Sequence, residues 1–211
     1  DFDALFETTK SLPWERWITP DAAFPVNGRS VKSQLSSVPA VQRTVKRAIV
    51  DRLMSAHKTS TLPETGPRYI IEVALLENTA TLTIDTSGEG LHKRGYRDLV
   101  GEAALKETMA AGLVLLSVWR PDRPLVDPFC GSGTIPIEAA MIGLKIAPGL
   151  LRAFDAEAWP GISEKVWDEA QDEAEAQSLV ETKGALAYTI HGTDMSEEAL
   201  SLARRHAQRA G

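Results

Sequence analysis

Apolar residues in the first third of the chain recur first at a helical interval and then at a strand-like one. Val41, Val45, Ile49 and Leu53 fall every four residues, which predicts a helix over about 37–57 with one buried stripe. Ser37 stands where a cap is needed, and Pro39 falls in the first turn, where its missing N–H costs nothing. Ahead of it, Asp3 to Lys10 reads as a short helix, Trp14 and Trp17 as packing residues, and AAFPV (22–26) as a short strand. Behind it, RYIIEVALLE (68–77) and TATLTIDTSG (79–88) are two β-rich runs with Asn78 near a tight turn. The alternation from Thr79 to Asp85 fits a half-buried antiparallel pair. Strand, helix and hairpin together predict a small α+β module ending near Ser87.

The pattern then changes. GEGLHKRGYRD (88–98) is a glycine-rich basic loop. A long helix is expected over about 99–119, followed by a strand at 124–127, a glycine turn, and a helix over 134–145. A long insert (147–184) holds an acidic helix around 163–178. A second strand (185–191) leads to Asp194, and a second helix (196–209) follows, with Ser196 as its cap. Strand, turn, helix, strand, acid, helix is the first half of a doubly wound α/β sheet. Such sheets bind ligands at the carboxyl ends of their strands.

Charge divides the chain in the same place. The net charge is −6, which by itself speaks against a polyanionic partner. Yet between Arg29 and Lys58 the sequence holds Arg29, Lys32, Arg43, Lys46, Arg47, Arg52 and Lys58 against the single acid Asp51. Local sign steers a polyanion more than net charge does. A solvated helix face is the plain alternative for such a run. The single cysteine excludes an internal disulfide framework and suits a reducing compartment. The most apolar stretch, 110–119, is about half of the roughly 20 residues a membrane span needs. No secretory signal opens the chain, and no metal-ligand cluster is visible. A soluble, cytoplasmic protein is expected.

The stretch LVDPFCGSGTIPIEAA (125–140) carries the chemistry. Gly131 and Gly133 remove side chains where backbone must approach a ligand, and the turn feeds a helix N-terminus. The spacing is neither G-x-G-x-x-G nor a phosphate loop ending in G-K-[ST]. Asp194, at the end of the second strand, is placed to accept from ribose hydroxyls, so a nucleoside-bearing cofactor is implied. Cys130 is expected to be a small residue in a tight turn rather than a nucleophile, since no partner for a thiolate is evident. His92 is read as a phosphate or structural contact ahead of a general base, because nothing in the sequence orients its ring.

These residues carry a resemblance. DPFCGSGTIPIEAA resembles motif I of S-adenosylmethionine-dependent methyltransferases, in the form used by a family of RNA guanine-N2 methyltransferases (the UPF0020 type) that carry an RNA-binding THUMP module. GLHKRGYR with LKETMAAGLV resembles that family's junction between module and catalytic domain, and IAPGLLRAF and AWPG resemble its insert; the match runs from about residue 20 to the end. The resemblance implies a remnant of an N-terminal segment at 1–19, a THUMP-like domain at 20–87, a junction loop and linking helix at 88–123, and an incomplete Rossmann-like methyltransferase domain at 124–211. It implies S-adenosylmethionine as cofactor, with Asp127, Pro128, Cys130, Gly131, Ser132, Gly133 and Thr134 around the methionine moiety, Asp194 on the ribose and Met195 against adenine. Lys106 and Glu107 match the helix near the cofactor pocket. RNA contacts are expected from Arg29, Lys32, Arg43, Lys46, Arg47, His92, Lys93, Arg94 and Arg97.

In the family, the acceptor amine is received by an Asn/Asp-Pro-Pro-aromatic element after the fourth strand. The sequence holds no such element, so the catalytic residues are expected downstream of Gly211. Three functions follow from the resemblance and the charge pattern: methylation of guanine N2 in ribosomal RNA, methylation of adenine N6 in DNA, or RNA binding without catalysis.

Overall fold

The computed structural model describes residues 1–97, 105–182, 186–187 and 189–211. It divides into two compact units, one of 1–88 with 154–163 and one of 89–153 with 164–211.

In the first unit, helix α1 (Phe2–Ser11) is capped by Asp1, whose side chain accepts from the Ala4 amide. Strand β1 (Val26–Val31), helix α2 (Val38–His57), strand β2 (Ile70–Leu76) and strand β3 (Thr79–Asp85) follow. The sheet order is β1-β2-β3, with β1 parallel to β2 and β2 antiparallel to β3. A parallel pair needs a crossover, and α2 supplies it. The expected stripe of α2 is buried together with Ala48, and it packs on Ile71, Val73 and Leu75 of β2.

Three details differ from the sequence reading. Ser37 precedes α2, but its hydroxyl makes no capping bond. The first strand lies at 26–31, not at 22–26: Ala22 and Phe24 are fully buried, and their stretch leads into the sheet through an isolated bridge between Ala23 and Arg68 and the bond from the Ile71 amide to the Pro25 carbonyl. The opening segment is not separate either, since Leu5, Trp14 and Ile18 join the same core as α2 and β2. Part of the insert belongs here as well. Trp159 stacks on Tyr69 with ring centres 4.4 Å apart and donates to the Arg68 carbonyl at 2.8 Å, and the Ala156 amide donates to the Thr86 carbonyl at 3.1 Å.

Glu15 fastens the opening segment to α2. Arg52 donates to both of its carboxylate oxygens, one bond measuring 2.8 Å. That guanidinium, with a backbone N–H, holds the Glu15 carboxyl down from an ordinary 4.5 to about 2. A carboxylate whose folded pKa lies below its unfolded one stabilises the fold above the unfolded value, and that contribution is lost as pH falls through the folded value. Glu15→Gln is therefore expected to melt below the parent protein at neutral pH. The gap should close as pH drops from 4.5 toward about 2, which thermal melts across that window would check; a gap independent of pH would refute the assignment.

In the second unit, helix α3 (Glu107–Leu116) precedes strand β4 (Leu125–Asp127) and helix α4 (Thr134–Gly143); helix α5 (Glu164–Ala176), strand β5 (Ile190–Gly192) and helix α6 (Glu197–Ala210) complete it. β4 and β5 are parallel neighbours, Asp127 opposite Gly192. The first residues of the helix expected from 99, and residues 185 and 188 of the expected second strand, lie outside the described residues. At its far end α3 stops at Leu116 rather than Trp119. The Ser117 hydroxyl donates back to the Val114 carbonyl at 2.7 Å and accepts from the Trp119 amide at 3.1 Å, turning the chain. Ser196 caps α6 as expected, accepting from the Ala199 amide at 3.2 Å.

Candidate functional site

The end of the β4–β5 pair is laced across by backbone. The Thr193 amide donates to the Asp127 carbonyl and the Cys130 amide to the Thr193 carbonyl, both at 2.9 Å. The Thr193 hydroxyl donates to the Pro128 carbonyl at 3.2 Å, and the Asp127 carboxylate accepts from the Phe129 amide at 3.1 Å. Gly131 (φ +52°) and Gly133 (φ +84°) then reverse the chain through left-handed backbone that glycine adopts without cost. The two differ in surroundings. A Cβ on Gly131 would meet nothing within 4 Å, so the turn is open on that side, whereas one on Gly133 would stand 3.0 Å from the Cβ of Ala203 in α6.

Cys130 fills the inner side of the turn. A Cβ on Gly192 would lie 2.9 Å from its Sγ, so the thiol packs against bare β5 backbone. Burial, then the nearby Asp127 and Asp194 carboxylates, push the thiol up. That is the reverse of what a nucleophile needs.

Asp194 joins the two halves of the site. One carboxylate oxygen accepts from the Gly131 amide and the other from the Ser196 amide, each at 2.9 Å. The Ser196, Gly131 and Met195 amides hold its carboxyl below the usual range, so it is an ionised acceptor. Each oxygen retains lone-pair capacity for another donor. An ionised acceptor beside an open glycine turn and a helix N-terminus suits a ligand bearing hydroxyls at one end and an anion at the other. Met195 is fully exposed and Phe129 largely so, which leaves two large apolar side chains at the rim. Asp127, Pro128, Gly131, Ser132, Gly133, Asp194 and Met195 thus converge at one end of the strand pair, while Cys130 and Thr134 are buried beneath it.

Sequence reasoning missed what lies under the turn. Arg94 and Arg97, expected to reach RNA phosphate, point inward. Arg97 donates to the Leu105 carbonyl at 3.2 and 3.3 Å and to the Thr134 hydroxyl, and its Nη1 lies 3.5 Å from Glu107. Arg94 donates to Glu138 at 3.4 Å, and the Tyr96 hydroxyl donates to the same carboxylate at 3.1 Å. Burial pushes the Glu138 carboxyl up against the pull of Arg94 and the Tyr96 bond; burial, then the Glu138 charge, also pushes the Tyr96 phenol up. From α6, the fully buried His206 sets Nδ1 3.2 Å from the Ser132 carbonyl. The signal for His206 is present in the sequence. Ala199, Ala203, His206 and Ala210 form one helical stripe, and a lone polar residue on it must point into the unit.

The remaining basic candidates divide. Lys93 is exposed and paired with Glu89 at 2.7 Å, and His92 is half-buried against Gly90. Lys46 is turned to its own module, donating to the Phe24 carbonyl at 3.0 Å and Glu64 at 2.7 Å, with its charge 3.5 Å from the Phe24 ring centre. Arg43 and Arg47 are exposed one turn apart on α2. Lys32 is exposed and lies 4.0 Å from Glu77. Arg29 is exposed on the opposite sheet face from α2, because its neighbour Gly28 is the residue that faces Gln42 and Val38. The basic run is therefore not one surface.

Residues 1–85 match the THUMP domain, a match that takes in the opening helix, and residues 94–211 match the RMKL-like methyltransferase domain, UPF0020. The Bacillus subtilis (strain 168) protein named "Putative RNA methyltransferase YpsC" is 48% identical over 212 residues, covering 100% of this chain and 54% of its own length. A crystal structure of a protein from Listeria monocytogenes, described as a predicted N6-adenine-specific DNA methylase, superimposes with a TM-score of 0.93 at 51% identity, over 100% of this chain and 55% of that one. SMU.472, described as a putative methyltransferase complexed with SAH, gives a TM-score of 0.91 at 42% identity, also over 100% of this chain and 55% of that one. The chain spans about half the length of the curated relatives it matches. With a match across more than half of its residues, the chain belongs to the RMKL-like methyltransferase domain family, and its first 85 residues form a THUMP domain.

Proposed function

We propose that this chain is the RNA-gripping and cofactor-binding part of an S-adenosylmethionine-dependent RNA methyltransferase that modifies guanine N2 in ribosomal RNA. The observation that carries the reading is the carboxylate of Asp194, which is bonded to the Gly131 amide of the glycine turn and stays ionised at the end of a parallel strand pair. Asp194 would hold the ribose, and the turn from Asp127 to Thr134 the methionine end, with the open side of Gly131 admitting the cofactor. When bound, the cofactor supplies a methyl group on a sulfonium. The acceptor amine must be aimed at that carbon and relieved of a proton, by residues we place downstream of Gly211. RNA as partner rests on the THUMP domain and on the exposed pair Arg43 and Arg47; the cytoplasm is the compartment this implies. Methylation of adenine N6 in DNA is the second reading, favoured by the description of the Listeria relative.

Nucleoside analysis after incubating the whole protein, with the residues placed downstream of Gly211 included, with labelled cofactor and either ribosomal RNA or DNA decides between them. Label in N2-methylguanosine supports the proposal, and label in N6-methyladenine of DNA overturns it. Charge reversal of Arg43 and Arg47 together is expected to weaken RNA binding about tenfold and to flatten its salt dependence by one to two units of log–log slope. Both side chains are exposed, so the circular dichroism spectrum should not change. A salt slope equal to the parent's would remove this face from the RNA site.

A further inference from the structure

We propose that Arg97 is a positioning residue for the carboxylate of the cofactor, acting through Thr134 and the first turn of α4. The proposal rests on the reading of the glycine turn as the receptor of the methionine end.

The N-terminus of α4 has few donors of its own. Of its first four backbone positions, Gly133 spends its amide on the Cys130 carbonyl at 2.8 Å, and Pro136 has no N–H. The amides of Thr134 and Ile135 are what this end can offer an anion, fewer than the four a helix N-terminus ordinarily presents. A cation is placed directly behind it. The Arg97 side chain is only 7% exposed, and its Nη2 donates to the hydroxyl of Thr134, the first residue of the helix.

That bond has two consequences. It fixes the residue whose amide must point at the anion. It also leaves the Thr134 hydroxyl, whose oxygen now accepts from a cation, as a donor strengthened by polarisation. Arg97 is itself held by the Leu105 carbonyl and by Glu107, whose side chain is 5% exposed. The guanidinium therefore cannot swing out to bind a phosphate without abandoning Glu107 in the interior. The Arg97–Glu107 pair is neutral as a whole, so what it brings to this donor-poor helix end is a fixed and polarised Thr134, a donor set suited to a carboxylate.

The test compares two ligands in the full chain by calorimetry: S-adenosylhomocysteine and its decarboxylated analogue, S-adenosyl-3-thiopropylamine. The parent protein should prefer the carboxylate-bearing ligand by about tenfold or more. Arg97→Gln and Thr134→Val should each shrink that preference to about threefold or less, the loss falling more on the carboxylate-bearing ligand than on the analogue. Thr134→Ser, which keeps the hydroxyl, should restore it. Equal loss of both affinities, or an intact preference in the variants, overturns the proposal and makes Arg97 a packing residue. A parent protein that binds both ligands equally overturns the reading of the turn itself, and the proposal with it. If Arg97→Gln does not fold, the contrast between Val and Ser at position 134 decides alone.

Discussion

Asp194→Ala is expected to lower affinity for S-adenosylmethionine by a factor of about 100 or more, as two charge-assisted bonds to the ribose would require. The effect is large because one carboxylate has two tasks. It would receive the ribose hydroxyls, and it also ties the Gly131 amide to the start of α6 through the Ser196 amide, both at 2.9 Å. Removing it leaves those amides without their acceptor and loosens the turn that admits the ligand. Asp194→Asn separates the two tasks. It keeps one acceptor oxygen but turns an NH2 group toward one of the two amides, so it should fall between parent and alanine. The pH dependence follows from the same bonds. Because the carboxyl is held below its ordinary 3.8, the acceptor is ionised throughout the neutral and mildly acidic range. Binding should be flat with pH there, and should weaken only as pH falls through the depressed value. Calorimetric titration at several pH values checks both points. A parent that loses affinity near neutral pH, or an alanine variant that binds like the parent, would take Asp194 out of the site.

What could be read from the sequence was local. The stripe Val41, Val45, Ile49 and Leu53 dictated α2, and the order of strand, glycine turn, helix and acid brought the glycine turn and Asp194 together at the end of β4 and β5, where the candidate site lies. These signals lie within a few residues of the feature they determine. What was hidden depended on distant partners. The charges of Arg94 and Arg97 read as a phosphate-binding loop because the acids that neutralise them, Glu138 and Glu107, are not their neighbours in sequence. A local charge count cannot see such a pairing, and burying it costs several kcal/mol per ion unless the partner is in contact. Trp159 read as part of the insert because only the folded chain brings it onto Tyr69. Strand β1, with the sequence VNGRSV, carries Gly28 and Ser30 on its less exposed face and Val31 on the exposed one, so no apolar alternation signalled a strand. Gly28 is small because Gln42 and Val38 of α2 press on it, a Cβ there standing 2.9 Å from the Gln42 side chain.

Gly95→Ala should be the most damaging single-methyl change in the second unit, costing about 4 kcal/mol or more. In the sequence Gly95 is one of three glycines in a basic loop, and nothing local distinguishes it from Gly88 or Gly90. In the structure its φ is +97°, and a Cβ would stand 1.8 Å from the Leu151 carbonyl oxygen and 2.6 Å from the carbon. Both contacts are with backbone, so no rotamer relieves them, and the two chain segments must part. The loop that would move carries Arg94, Tyr96 and Arg97, and with them the bonds to Glu138 and Thr134 beneath the glycine turn. Loss of cofactor binding should therefore accompany the fall in melting temperature. Gly112→Ala is the control. Gly112 lies inside α3 with nothing within 4 Å of its missing Cβ, and alanine there should stabilise the helix by about 0.5–1 kcal/mol. If thermal melts ranked the two substitutions equally, the approach of Leu151 to the loop would be wrong. The opposite signs would show that Gly95 is fixed by the carbonyl it faces, not by the flexibility of the loop it occupies.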